Sequence, residues 1–457
     1  MTENVPRERK AHISVEMEYH NITSHDIERG DVATTEIAED PVVISTRGML
    51  ESLPPLSSEC CIYRVPKKLR KVNVEAYTPQ LVSIGPLHFG EQHLREMEEH
   101  KLRYLRTFLN RIGWSLDQSV QVVRRWENRA RDCYAETIEL SSDEFVKMIL
   151  VDGCFIVEIF LRHHFNQLRD EVDRIFHRPW MNDVVRHDLV LIENQLPIFV
   201  LEGFFDWVPP VSIPDGNSTT FLGLTKEYFN HFVREMEVPG SLNGIKHFVD
   251  FIHHFYLSSF STKQHEGDAN IERPPSVTQL QEAGITFRKG TSRSLLDIKF
   301  ADGILEIPHF KIWDSTESLI RNVIAFEQCH CTSKYISGYM DILDSLIKTS
   351  EDADLLIRHE IITNWIGSGE KVATLFNNIA KEIFIDSSVS SFSSICKDMN
   401  EYCKNRRHRW KATLKRDYFG TPWTIISFIA AVVRLILTII QTTQKNTLDY
   451  CKLPKKI

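Results

Sequence analysis

Three acidic residues stand among apolar neighbours: Asp152 and Glu158 in FVKMILVDGCFIVEIFLRHHF, and Glu193 in HDLVLIENQLPIFVLEGFF. Two carboxylates converging in a cleft with separated pKa values would make a general acid–base pair. Held singly against helix ends or arginines, the same acids would only satisfy buried polar groups. Asp152-Gly153 and Glu193-Asn194-Gln195 favour the second role, because each falls where a helix is expected to bend or be capped. The adjacent pairs His163-His164 and His253-His254 diverge by about 100° on a helix. They lack the i, i+4 spacing of a metal-binding HExxH, so packed or solvated histidines are expected. Cys329-His330-Cys331 would hold a metal only if other ligands converged on it, and a thiol-bearing helix end is the simpler expectation. GSGEK (Gly367 to Lys371) lacks phosphate-loop spacing, and no strand is expected before it. A helix C-cap followed by a new helix start accounts for its glycines. With no GxSxG elbow either, no catalytic, cofactor-binding or metal residue is assigned, and no enzyme is expected.

The elements that would position these residues are mainly helical. Leu94, Met97, Leu102, Leu105 and Leu109 recur among charges and predict a helix over Glu91 to Asn110. Phe145 to Phe165 is apolar almost all round, as in a helix buried on most sides. Pro197 splits the next apolar block into two helical pieces meeting near Asn194 to Pro197. Thr78 to Ile84 has strand character, stopped by Gly85-Pro86. SLLDIKFADGILEIPHF predicts a hairpin turning at Ala301-Asp302-Gly303. Further helices are expected at Ser315 to Cys329, Lys334 to Lys348, Asp352 to Ile366 and Glu370 to Phe384. Val208 to Thr220 and Ser258 to Ser276 read as loops. Five parts follow: an acidic flexible leader (1–58), a mainly helical domain with a minor β component (59–400), a basic segment (401–418), a transmembrane helix (419–443) and a short tail (444–457).

Net charge is −8, which argues against a nucleic-acid-coating protein. The nine cysteines are odd in number and lack zinc-ribbon spacing, so reduced thiols in a cytosolic setting are expected. No apolar core marks Met1 to Asp40 as a signal peptide. Asn21-Ile22-Thr23 and Asn217-Ser218-Thr219 match the glycosylation sequon and would report topology.

The blocks CCIYRVPKKLRKVNVEAYTPQLVSIGPLHFG, MEEHKLRYLRTFL, ILVDGCFIVEIF, DLVLIENQLPIFVLEGFF, SLLDIKFADGILEIPHFKIWDSTESLIRNVIAFEQCH and PWTIISFIAAVVRLILTIIQT together resemble the plant family catalogued as domain of unknown function 247 (UPF0481-type). The resemblance covers about Cys60 to Thr443. It implies a plant protein with a mainly helical domain, one C-terminal membrane helix and no known enzyme activity. Some relatives look like determinants of pollen–stigma self-incompatibility. Arg434 departs from the more uniformly apolar membrane helix the family leads one to expect.

Trp423 to Ile440 would extend about 27 Å as a helix, close to a bilayer core of roughly 30 Å. Its eleven Ile, Leu, Val and Phe residues favour insertion by roughly 3 to 6 kcal/mol, against about 2.5 for one central Arg that can snorkel. Thr424, Ser427, Ala431, Arg434, Thr438 and Gln441 recur at spacings of three and four and form one narrow polar stripe. Ser427 and Ala431 make a small-xxx-small pair that would let a second helix approach, in a homodimer or a hetero-complex. Upstream, Lys404, Arg406, Arg407, Arg409, Lys411, Lys415 and Arg416 form a run suited to anionic headgroups, with no nucleic-acid partner expected.

These features lead to a single-pass plant membrane protein, expected at the plasma membrane with its bulk cytoplasmic. It would act without enzymatic activity, by binding an unidentified protein partner. The alternatives are a recognition determinant of the self-incompatibility type and a membrane-tethered hydrolase or transferase. The last would need Asp152, Glu158 or Glu193 to converge.

Overall fold

The computed structural model describes residues 40–52, 57–210, 219–234, 236–258, 272–385, 392–405 and 422–451. The chain divides into two compact units, Met1–Leu56 and Ser57–Ile457. The first contains a helix, Pro41–Glu51, where an unstructured leader was expected. Its start is set locally: Asp40 accepts the Val42 N–H at 2.8 Å and Pro41 supplies a preset φ. No residue of this helix is buried.

In the second unit, one helix, Ser142–His164, forms the centre. A capping box starts it, with Ser141 and Glu144 exchanging side-chain and backbone bonds. From Phe145 to Arg162 every residue but Lys147 is buried, as the all-round apolar pattern predicted. The helices Glu96–Ile112, Leu116–Asp132, Ile198–Asp206 and Phe221–Tyr228 surround it. Gly153 is the point of closest approach, since a Cβ there would overlap the Phe204 ring. Phe160 stacks on Tyr228 at 4.6 Å and meets Phe248 at 5.4 Å, tying the central helix to Phe248–Leu257.

The predicted break in the second apolar block is present. Helix Pro179–Asp188 stops, residues 189–197 run outside helix, and Pro197 caps Ile198–Asp206. The strand expected at Thr78 to Ile84 is absent. That segment's amides are taken by side chains instead of a ladder: Asp188 accepts the N–H groups of Gln80, Leu81 and Val82 at 2.7–2.9 Å. Asn194 accepts from Ile84 at 2.7 Å and donates to the Val82 carbonyl at 3.0 Å. Backbone groups must be satisfied when buried, and here side chains do the work of a neighbouring strand.

The hairpin forms as expected, with strands β2 (Lys299–Ala301) and β3 (Ile304–Pro308) paired antiparallel. Asp302 (φ 51°) and Gly303 (φ 74°) both occupy the left-handed region that such a two-residue turn requires. An unexpected strand, β1 (Thr286–Gly290), pairs with β3 in parallel. A second parallel pair joins β4 (Phe310–Ile312) to β5 (Ile362–Asn364). The helix expected to reach Ile366 therefore ends at Arg358; Glu360 turns left-handed (φ 57°) and the chain enters β5. A strand thus does precede GSGEK. Gly367 (φ 115°) is a connector between β5 and the helix Gly369–Ile379, capped by Ser368, and is not a helix C-cap. Helices Thr316–Cys329 and Tyr335–Leu346 complete the predicted set. Helix Ser393–Lys404 follows, and its Tyr402 packs on Gly303 and meets Phe300 at 5.7 Å.

Candidate functional site

The three sequence-singled acids each have their own cation. Asp152 bonds Lys101 Nζ at 2.6 Å and accepts the Gly85 N–H at 2.8 Å, with both side chains almost fully buried. Glu158 receives Arg111 at 2.7 Å and Arg162 at 3.3 Å. Glu193 accepts the Val65 N–H at 2.6 Å and pairs with Arg70 at 2.5 Å. Asp152 and Glu158 leave one helix about 120° apart around it and about 9 Å apart along its axis. These carboxylates brace separate parts of the domain.

The histidines are likewise engaged. His163 sits against Tyr228 at 5.1 Å, and burial pushes its pKa down to about 4. His164 bonds Glu227. His253 Nε2 meets Glu327 at 3.1 Å, while His254 Nδ1 meets the Asp250 carbonyl at 2.9 Å. Asp250, His253 and His254 bring ligand atoms within 4.8 Å of one another, an arrangement that sequence spacing did not suggest. Cys329 ends its helix as expected, and His330 Nδ1 pairs with the Tyr63 hydroxyl at 3.0 Å.

Sequence reasoning missed a cleft of about 530 Å³ at the carboxyl end of β1. Because β1 and β3 are parallel with Gly290 opposite Pro308, the segment after Gly290 runs beside His309. Lys289 and Arg293 come from this segment, Lys311 from β4, and His231 and Arg234 from the short helix Asn230–Val233 and its C-cap. His231, Arg234, Lys289, Arg293, His309 and Lys311 line the cleft, and no Asp or Glu does among the described residues. Phe232, Tyr256, Phe310 and Trp313 supply an apolar wall. Trp313 is fixed by stacking on Trp365 at 4.9 Å and 7°. His309 Nε2 is fixed by Thr363 Oγ1 at 2.8 Å. Burial lowers the pKa of His231, reinforced by Arg186, so its ring is neutral near pH 7. The one available signal was FRKGTSR (Phe287 to Arg293), where Arg288 pairs with Glu306 at 2.9 Å and the next residue, Lys289, reaches the cleft. The remaining cations are too far along the chain to read as a cluster.

At the C-terminus, the helix Pro422–Cys451 contains one stretch, Ile425–Gln444, that is long and apolar enough to cross a membrane, with mean hydropathy 2.2 and none of it buried. Ser427, Ala431, Arg434, Thr438 and Gln441 lie exposed along it. Thr438 donates its hydroxyl to the Arg434 carbonyl at 2.8 Å, so this member of the stripe is satisfied within its own helix. Thr424 belongs to the same helix. Of the basic run, Lys404 ends the Ser393–Lys404 helix and pairs with Glu272 at 2.8 Å. Arg406, Arg407, Arg409, Lys411, Lys415 and Arg416 lie outside the described residues, as do Asn21 and Asn217.

A mainly helical domain with two small sheets and one C-terminal apolar helix is the class these elements define. The chain belongs to DUF247, a family described as plant protein of unknown function, which it matches over residues 62–437. It is similar to the UPF0481 protein At3g47200 of Arabidopsis thaliana, at 31% identity over 417 residues, covering 84% of this chain and 86% of the relative. It also resembles the putative UPF0481 protein At3g02645 of the same plant, at 24% identity over 480 residues, covering 83% and 89%. No solved structure matches the chain.

Proposed function

We propose that this protein is a single-pass membrane protein of the plant plasma membrane that acts by holding a protein partner at the bilayer, without enzymatic activity of its own. The reading rests on the Ile425–Gln444 stretch: an apolar helix with no buried residue has no place in the domain core. Burying such a surface in lipid is strongly favourable, and the cost of Arg434 is smaller than the gain from its apolar neighbours. The basic run from Lys404 to Arg416 supports a cytoplasmic domain, because positive charge flanking a span favours the cytoplasmic side and attracts anionic lipid. The non-enzymatic part is supported by Asp152, Glu158 and Glu193, each neutralised by a separate buried or half-buried cation. The stripe through Ser427 and Ala431 supports a second membrane helix, in a homodimer or with the partner.

The test is proximity labelling and protease protection of the full chain in plant membranes. Fractionation with the plasma membrane and digestion of the domain from the cytoplasmic face are expected. Glycosylation at Asn217, or a domain shielded inside sealed vesicles, would overturn the orientation. Soluble behaviour of the full chain would overturn the anchor.

A further inference from the structure

We propose that the cleft at the end of β1 binds a small phosphate-bearing molecule, with its phosphates held by Lys289, Arg293 and Arg234 and its remainder against the wall of Phe232 and Trp313. This site is independent of the anchoring role argued above.

Charge balance is the first support. Three permanent cations, Arg234, Lys289 and Arg293, line one concavity with no carboxylate among the described lining residues, while Lys311 and His309 have partners of their own. Some exposed cations elsewhere are paired, as in Arg124–Asp143 at 2.6 Å and Arg103–Glu99 at 3.3 Å. Arg234, Lys289 and Arg293 make no side-chain hydrogen bond or ion pair among the described residues. Cations gathered in a partly enclosed site repel one another more strongly than in water, and an anion relieves that repulsion.

Shape and donor type are the second. A volume of about 530 Å³ falls in the range that encloses a small organic ligand, whereas phosphate contacts to a polymer spread over a larger surface. Thr291 and Ser292 add hydroxyl groups on the same lip as Lys289 and Arg293. Arginine forks and lysine ammonium groups are the side chains best suited to phosphate oxygens. The apolar wall is half of the lining and would be wasted on inorganic phosphate alone. A molecule that combines several phosphate charges with a carbon skeleton uses both halves. The scaffold is rigid where it matters: β1 is held by β3 along its length, and Trp313 is clamped by Trp365.

The source of the phosphate is either a soluble metabolite or a lipid headgroup, and one experiment separates them. The purified full chain in detergent is titrated calorimetrically with inorganic pyrophosphate, ATP and inositol hexakisphosphate, and thermal unfolding is followed with each. The full chain is also tested for binding to phosphatidylcholine vesicles with and without phosphatidylinositol bisphosphate. A ligand that binds the folded state raises the unfolding temperature. Saturable binding of a soluble probe, weakened roughly tenfold for each cation removed in Lys289→Gln and Arg293→Gln, supports the proposal with a soluble ligand. Retention of binding by Lys289→Arg is expected. Binding only to the phosphoinositide vesicles, lost in the same variants while Lys404 to Arg416 stay intact, supports it with a headgroup. Absence of binding in both arms, or equal binding by the variants and the parent, would overturn it. If the Arg293 variant fails to fold, Arg234→Gln, at the end of the short helix Asn230–Val233, repeats the test.

Discussion

His247 donates its Nε2–H to the carbonyl of Cys61, 3.0 Å away across 186 residues of sequence, while its Nδ1 accepts the Asp250 N–H at 3.2 Å. Both ring nitrogens are committed to the neutral tautomer, and full burial lowers the pKa to about 4. His163 is held down similarly. An unfolded histidine titrates near 6.5, so below that pH the unfolded chain takes up protons that the folded chain refuses. Stability is therefore present above pH 6.5 and is lost as pH falls towards 4, by up to about 3 kcal/mol for the fully buried His247 and by less for His163, whose ring solvent partly screens. Denaturant unfolding of the full chain at pH 7 and pH 5 should show this loss, and His247→Gln should reduce the difference between the two pH values.

Lys101 is the most buried lysine of the described residues, and its ammonium contacts Asp152 and Glu98 at 2.6 Å and the Ser83 carbonyl at 2.9 Å. Removing one partner strands the other without water. Lys101→Met is expected to cost about 3–5 kcal/mol, and the double change Lys101→Met with Asp152→Leu to recover part of it. Equal losses in the single and double variants, read from urea midpoints, would contradict a paired role.

Gly153→Ala should destabilise by about 1–3 kcal/mol through overpacking, because its methyl group would enter the Phe204 ring. That ring cannot retreat freely: Trp126 stands 5.3 Å and Trp207 4.9 Å from it. Adding Phe204→Leu makes room, so the pair should lie closer to the parent than either additive sum. A thermal-shift series on three variants decides this.

In the membrane helix, Ser427→Ile and Arg434→Leu should abolish self-association in a dimer-reporter assay if the stripe is an interface. Thr438→Val should leave association unchanged, since the hydroxyl is already bonded to Arg434 within the helix. Association that persists in the first two variants would show that the stripe is not the interface.

Some helices were legible from a kept apolar period, as in Glu96–Ile112, or from an all-round apolar run, as in Ser142–His164. The Asp302-Gly303 hairpin was legible because its turn chemistry is local. Thr78 to Ile84 was misread because β-like residues were the only visible signal, while the groups that hold it, Asp188 and Asn194, lie more than a hundred residues away. Parallel pairing of β1 escaped for the same reason, and TFRKG is too charged to announce a strand. The cleft escaped because its cations, spread from His231 to Lys311, converge only through that parallel pairing.

Asn322 donates to the Ala76 carbonyl and accepts from the Ile192 amide. One side chain therefore closes contacts with two segments made much earlier. During synthesis, the stretch around Ala76 must wait for 246 further residues before its partner exists. At roughly 5–20 residues per second that is about 12–50 s on the ribosome. For that interval Tyr77, Val82 and Ile84, all buried in the finished fold, have no completed core to enter. Yield in a cell should accordingly depend on chaperones that shield the nascent N-terminal half, and slowing translation before Asn322 should lower it.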